Sequence, residues 1–209
     1  MTTGQINLNT KLGNIIYNLV YFNKFKNIVD VGTWNGLGTT YCVLKALEDK
    51  NELTATNLYT VELYPEMVEI AKKNLSKYLH LNNFKMLNGS MIDFNEVYWF
   101  DHSSIDFNND MHAKLWYEKD IQNLKNSKNI FNELPNNIDL LILDGGEYST
   151  YPEWKKLESR VKYFVLDDSN ILKCNKIRQE VLQNKNIEIL HDVQNDRNGY
   201  VVGHFKDQI

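Results

Sequence analysis

The chain has 209 residues, enough to bury the core of one α/β domain. Its 43% hydrophobic and 24% charged residues are ordinary globular values, and three prolines leave no room for a Pro-rich linker. A formal charge of −4 gives no overall field to attract nucleic acid or an anionic membrane.

No apolar run approaches the roughly 20 residues that span a bilayer, and Met1–Leu12 does not read as a signal peptide. A cytoplasmic protein without membrane or nucleic-acid partners is expected. Cys42 and Cys174 each lie in an apolar helical pattern and read as reduced core thiols.

In chain order, Lys11 to Phe25 places Leu12, Ile15, Ile16, Leu19, Val20 and Phe22 at helical steps. Ile28–Val31 is a short apolar strand, ending in the loop Gly32–Gly38, and a helix follows through Leu47. Leu58–Glu62 is a second strand. Pro65 then opens a helix where its missing N–H costs nothing, with Val68, Ala71, Leu75 and Leu79 on one face. Phe84–Leu87 is a third strand, closing on Asn88-Gly89-Ser90. Asn95 to Asn137 is less regular and aromatic, with a helix over roughly Met111–Phe131. It reads as a variable substrate or lid segment (Tyr98, Trp99, Phe100, Trp116, Tyr117), although the same rings would suit plain core packing.

Ile138–Leu143 and Val161–Leu166 are near-continuous apolar runs, as expected of strands buried on both faces of a parallel sheet. A helix carrying Ile177, Val181 and Leu182 follows. Ile187–Leu190 and Tyr200–Phe205 flank the turn dipeptide Asn198-Gly199 and are expected to pair antiparallel. The pattern is α/β: one domain with a doubly wound, Rossmann-like, mostly parallel seven-stranded sheet and an antiparallel C-terminal hairpin.

Gly32, Glu62, Gly89, Asp144 and Asp167 all fall at the carboxyl ends of expected strands, the edge at which open parallel sheets bind ligands. The first loop is not the dinucleotide fingerprint, whose three glycine positions hold Gly32, Trp34 and Leu37. The missing second glycine argues against a pyrophosphate. S-adenosylmethionine has ribose and adenine but an amino-acid tail in place of phosphates, and its carboxylate suits the N–H groups of such a loop. Glu62 can accept from both ribose hydroxyls; its distance from the loop exceeds the usual ~20 residues, an excess accounted for by the polar stretch Asp49–Asn57. Gly89, Ser90 and Met91 are expected around adenine, Ser90 or the backbone at the base edge and Met91 on its face.

Ile28-Val-Asp-Val-Gly-Thr-Trp-Asn-Gly-Leu-Gly-Thr-Thr40 resembles motif I of class I S-adenosylmethionine-dependent methyltransferases, in the form found in macrocin-type sugar O-methyltransferases. Tyr59–Met67, Ile138–Tyr148, Val165–Asp168 and Asp196–Tyr200 resemble further motifs of that family, so the likeness runs from Ile28 to Phe205 apart from Asn95–Asn137. The resemblance implies a cofactor site of Asp30, Gly32, Thr33, Trp34, Gly36, Thr39, Glu62, Leu63, Gly89, Ser90, Met91 and Asp144. It also implies a divalent metal on Asp144, Asp167 and Asp168, and hard carboxylate oxygens suit Mg²⁺. Helix capping by these aspartates is the alternative.

Relatives carry His where this chain has Glu147, which becomes the candidate base beside Asp144. His102, His112, His191 and His204 are the other candidates. The resulting expectation is methyl transfer to a hydroxyl of a small molecule, a sugar or glycosylated metabolite, by a chain compatible with a homo-oligomer. An amine, protein or nucleic-acid acceptor, a non-catalytic cofactor-binding module and an NAD-dependent oxidoreductase are the alternatives, the last disfavoured by Trp34.

Overall fold

The computed structural model describes residues 5–105 and 111–206. Seven strands, β1 (Asn27–Val31), β2 (Asn57–Glu62), β3 (Phe84–Asn88), β4 (Ile138–Leu143), β5 (Val161–Asp167), β6 (Ile187–Val193) and β7 (Tyr200–Phe205), form one sheet in the order β3-β2-β1-β4-β5-β7-β6. All neighbours are parallel except the pairs of β7 with β5 and with β6, which are antiparallel. The α/β sheet and its C-terminal hairpin are those the sequence pattern implies.

Among the described residues six α-helices flank the sheet: α1 (Lys11–Phe22), α2 (Thr39–Asp49), α3 (Pro65–Asn74), α4 (Met111–Asn126), α5 (Thr150–Leu157) and α6 (Leu172–Gln183). Successive strand residues feed opposite faces, as a pleated strand demands. In β4, Leu140 and Ile142 join a core with Ile16 and Val20 of α1 and Leu44 and Leu47 of α2. Leu141 and Leu143 join the opposite core with Trp154 of α5 and Ile177 of α6. A third, smaller cluster packs Leu124 of α4 against Ile92, Val97 and Tyr148, and thereby holds the aromatic segment over the carboxyl edge of the sheet.

Some local expectations are corrected. The first helix ends at Phe22, and Phe25 enters the core from the connecting loop. Helix α3 stops at Asn74, leaving Leu79 on the surface rather than on the helix's buried face; Leu182 of α6 is likewise exposed. Helix α4 stops at Asn126, because the chain then turns to form a parallel bridge between Asn129 and Ser90. Helix α5 is a further element, the crossover that two adjacent parallel strands require. Cys42 and Cys174 are buried and unbridged. No helix among the described residues is long and apolar enough to cross a membrane.

Candidate active site

Strand order reverses between β1 and β4, and a cavity of about 840 Å³ opens at their carboxyl ends. Gly32 follows β1 with φ +96°, and a Cβ there would lie 2.1 Å from the Asp144 carbonyl oxygen, so only glycine lets the two strand-end loops approach this closely. The loop then folds back: Gly32 and Thr33 N–H both donate to the Val61 carbonyl. Trp34 adopts a left-handed conformation (φ 49°), and its N–H donates to Glu62 Oε2 at 2.6 Å. Tyr64 N–H donates to Glu62 Oε1 at 2.9 Å, so the carboxylate is braced from both sides. Burial raises its pKa above the usual carboxylate value, against the pull of those N–H groups.

Of the residues expected around a cofactor, Gly32, Thr33, Trp34, Thr39, Glu62, Leu63, Gly89, Ser90 and Asp144 line the cavity. Asp30 lies behind the wall, fully buried, accepting from Thr39 and Thr40 hydroxyls; burial lifts its pKa to about 7. Gly36 faces Leu75, and Met91 is fully buried with Ile130 in the core that holds Trp154 and Leu141. Met91 is not among the residues that line the cavity. Ser90 lines the cavity; its N–H donates to the Lys128 carbonyl, its carbonyl accepts from the Ile130 N–H, and its hydroxyl oxygen accepts from the Ile92 N–H at 3.2 Å.

Asp144, Asp167 and Asp168 converge, with one oxygen of each within 4.8 Å of the others. The sequence pattern did not anticipate their cationic partners. Lys173, from the first turn of α6, places Nζ 2.9 Å from Asp144 Oδ1 and 2.6 Å from Asp168 Oδ2. Arg197, from the β6–β7 turn, reaches Asp167 Oδ2 at 2.9 Å, and the adjacent Asn198 amide donates to Asp168 Oδ1 at 3.0 Å. Burial would raise Asp168, but Lys173 outweighs it and holds the carboxyl below its ordinary range. Burial, with Asp144 and Asp168 close by, pushes Asp167 up from the ordinary carboxylate range.

Glu147 lines the same cavity, and burial, with the negative charges of Asp168 and Asp120, raises its pKa against the opposing pull of Lys173. Asp120, also overlooked in the sequence, hangs from α4 into the cavity; it accepts from the Tyr64 hydroxyl and the Glu147 N–H, and burial raises its pKa. Glu153 of α5 is a second missed acid. It is 3% exposed, lines the cavity, and its Oε2 has no hydrogen-bond partner. Burial lifts it to about 7.

Among the described residues no histidine lines the cavity. His102 is held by the Tyr117 hydroxyl and the Val97 carbonyl, His204 is buried in β7, and His191 lies exposed on β6; the side chain of His112 lies outside the described residues. In the aromatic segment Phe100, Ile105 and Trp116 line the cavity. Trp99 and Tyr117 instead support it from behind, Trp99 Nε1 donating to the Tyr148 carbonyl at 2.9 Å.

No family model matches the sequence, and no curated protein matches it. Solved structures do. A methyltransferase from Podospora anserina, PaMTH1, crystallised with S-adenosylhomocysteine, aligns with a TM-score of 0.60 at 13% identity, over 94% of this chain and 78% of that one. An O-methyltransferase from Bacillus cereus, also bound to S-adenosylhomocysteine, gives 0.59 at 12% identity, over 96% and 83%. TomG, an O-methyltransferase from Streptomyces achromogenes bound to S-adenosylmethionine, gives 0.58 at 10%, over 93% and 79%. At these identities the likeness is one of fold, and that fold is the Rossmann-like methyltransferase fold.

Proposed function

We propose that the chain is an S-adenosylmethionine-dependent methyltransferase acting on a hydroxyl of a small molecule. The observation that carries this reading is Glu62. It is a buried carboxylate fixed by two backbone N–H groups at the mouth of a glycine turn, with oxygen lone pairs left for two vicinal hydroxyls. Glu153 supports it, because an unpartnered buried acceptor in the same cavity matches a ligand with a donor such as the adenine amine. Gly32, Thr33, Trp34 and Leu63 would hold the remainder of the cofactor, which supplies the electrophilic methyl group.

The acceptor would enter beside Glu147 and the Asp144 carboxylate, under Phe100, Ile105 and Trp116 of the 95–137 segment. Glu147, its affinity for protons raised by burial, would take the hydroxyl proton. The hydroxyl preference and the sugar-like acceptor rest on the macrocin-type resemblance of the motifs.

Magnesium on the three aspartates is the part of that resemblance that does not fit. The donor oxygens are right, but Lys173 already contacts two of the three carboxylates and Arg197 the third. An ion bonded to those oxygens at ~2.1 Å would lie against the ammonium.

Isothermal titration with S-adenosylhomocysteine, S-adenosylmethionine and NADH tests the cofactor assignment. Binding of the first two and not the third is expected; the reverse would refute it. A panel of hydroxylated acceptors against amine and peptide acceptors, with methyl transfer followed by mass spectrometry, tests the substrate class.

A further inference from the structure

Lys173 occupies a position that helix physics disfavours. It is the second residue of α6, where the positive end of the helix dipole repels a cation, and it is only 7% exposed, so its charge is largely stripped of water. No acidic residue in the helix's own first turn compensates. What holds it there are the two strand ends beside it, Asp144 after β4 and Asp168 after β5, at 2.9 and 2.6 Å. Asp168 itself sits at φ 55°, a left-handed conformation that a residue with a Cβ adopts at a cost. That conformation presents its carboxylate to Lys173 on one oxygen and to Asn198 on the other. A strained aspartate and a buried lysine at the wrong end of a helix are each unfavourable alone and are mutually consistent as a pair.

We infer that Lys173 is the resident cation of this site, its ammonium standing where a divalent metal would otherwise bridge Asp144 and Asp168, and that the site works without metal. The inference rests on the reading of the cavity as a methyl-transfer site. An ammonium has three N–H donors. Two are engaged by Asp144 and Asp168, and since Lys173 lines the cavity the third is available to an acceptor oxygen. The ammonium would orient that oxygen and favour its deprotonated form, two tasks a metal performs elsewhere, while the proton passes to Glu147.

The test is a gain of metal binding. Full-length protein is stripped with EDTA, exchanged into metal-free buffer and titrated with Mn²⁺, with the free ion read by electron paramagnetic resonance. Wild type is expected to leave the Mn²⁺ signal unchanged, as is K173R, which keeps the charge. K173A removes the ammonium and bares the carboxylates, so it is expected to sequester Mn²⁺ in a saturable way, and K173A/D168N is expected to lose that capacity. K173M, which keeps most of the apolar stem, serves if K173A does not fold, as judged by circular dichroism. Stoichiometric Mn²⁺ binding by wild type that D168N abolishes would overturn the inference, and so would a folded K173A or K173M that gains no binding. Titration with S-adenosylhomocysteine on the same samples keeps the two readings apart, because the Mn²⁺ outcomes stand whether or not the cofactor binds.

Discussion

Replacing Glu62 with Gln changes one oxygen of a buried group to an NH₂ and leaves its shape. Both carboxylate oxygens now accept a backbone N–H, from Trp34 at 2.6 Å and from Tyr64 at 2.9 Å. In the amide one of these donors must face another donor, and a buried N–H that loses its acceptor costs about 1–3 kcal/mol of folding stability. The cofactor side is separate. A hydrogen bond from a ribose hydroxyl to a charged acceptor is worth about 1.5–3 kcal/mol, and at 1.4 kcal/mol per factor of ten its loss weakens S-adenosylhomocysteine by roughly ten- to a hundredfold. Urea unfolding measures the first quantity and isothermal titration the second. A variant that is destabilised but binds S-adenosylhomocysteine with wild-type affinity would refute the reasoning, since Glu62 would then be a brace for the Trp34 turn and nothing more.

Gly32→Ala places a methyl 2.1 Å from the Asp144 carbonyl at a φ of +96°, and a loss of ~1–3 kcal/mol or more is expected in thermal denaturation; an unchanged Tm would mean that the β1 and β4 loops are not packed as described. Asp30 has its pKa raised by burial from 3.8 to about 7, so between those values the folded chain holds a proton that the unfolded chain has released. Its contribution is therefore fully present below the lower value and lost as pH rises through the upper one, with a slope of about 1.4 kcal/mol per pH unit. Asp30→Asn, a neutral mimic of the protonated acid, should flatten that part of the stability curve; identical pH profiles would count against it. Trp116 lines the cavity and packs on Trp34 at 5.8 Å between ring centroids, so Trp116→Ala should raise KM for a hydroxyl acceptor by a few-fold to about tenfold. An unchanged KM would place the acceptor elsewhere.

The strands were legible because parallel strands buried on both faces must be apolar throughout; Ile138–Leu143 has almost no other interpretation. Helix α5 was not. It carries a proline and three charged residues, and its core contact comes down mainly to Trp154 and Leu157, too few apolar positions to set a period. At the site, the loop glycine, Glu62 and the aspartates were visible because they sit immediately after such strands. Asp120, Glu153 and Lys173 were not, because each lies inside a helix among other polar residues and differs from them only in what the tertiary fold sets against it. Lys173 carried one usable signal, a lysine in the first turn of a helix directly after two aspartates. The Asp196–Tyr200 resemblance also held more than it was asked for, since Arg197 and Asn198 from that turn reach Asp167 and Asp168.

The charge of the cavity bears on which form of the cofactor it retains. Among the described residues six carboxyl side chains line it, Glu62, Asp120, Asp144, Glu147, Glu153 and Asp168, against two cationic ones, Lys173 and Arg197. Burial lifts Glu153 to about 7, so near neutrality this acid holds a proton that it would release to an arriving cation. S-adenosylmethionine brings such a cation in its sulfonium, and the demethylated product does not. One uncompensated carboxylate ~8 Å away, at an effective dielectric of ~20, favours the charged form by about 2 kcal/mol, roughly thirtyfold in affinity. An analogue of the product with an amine near the sulfur position should therefore bind more tightly than S-adenosylhomocysteine. Its binding near neutral pH should release protons, measured by titration in buffers of different ionisation enthalpy. Equal affinity of the charged and neutral ligands, with no proton release, would mean that Lys173 and Arg197 already neutralise the pocket and that product discrimination does not arise from its charge.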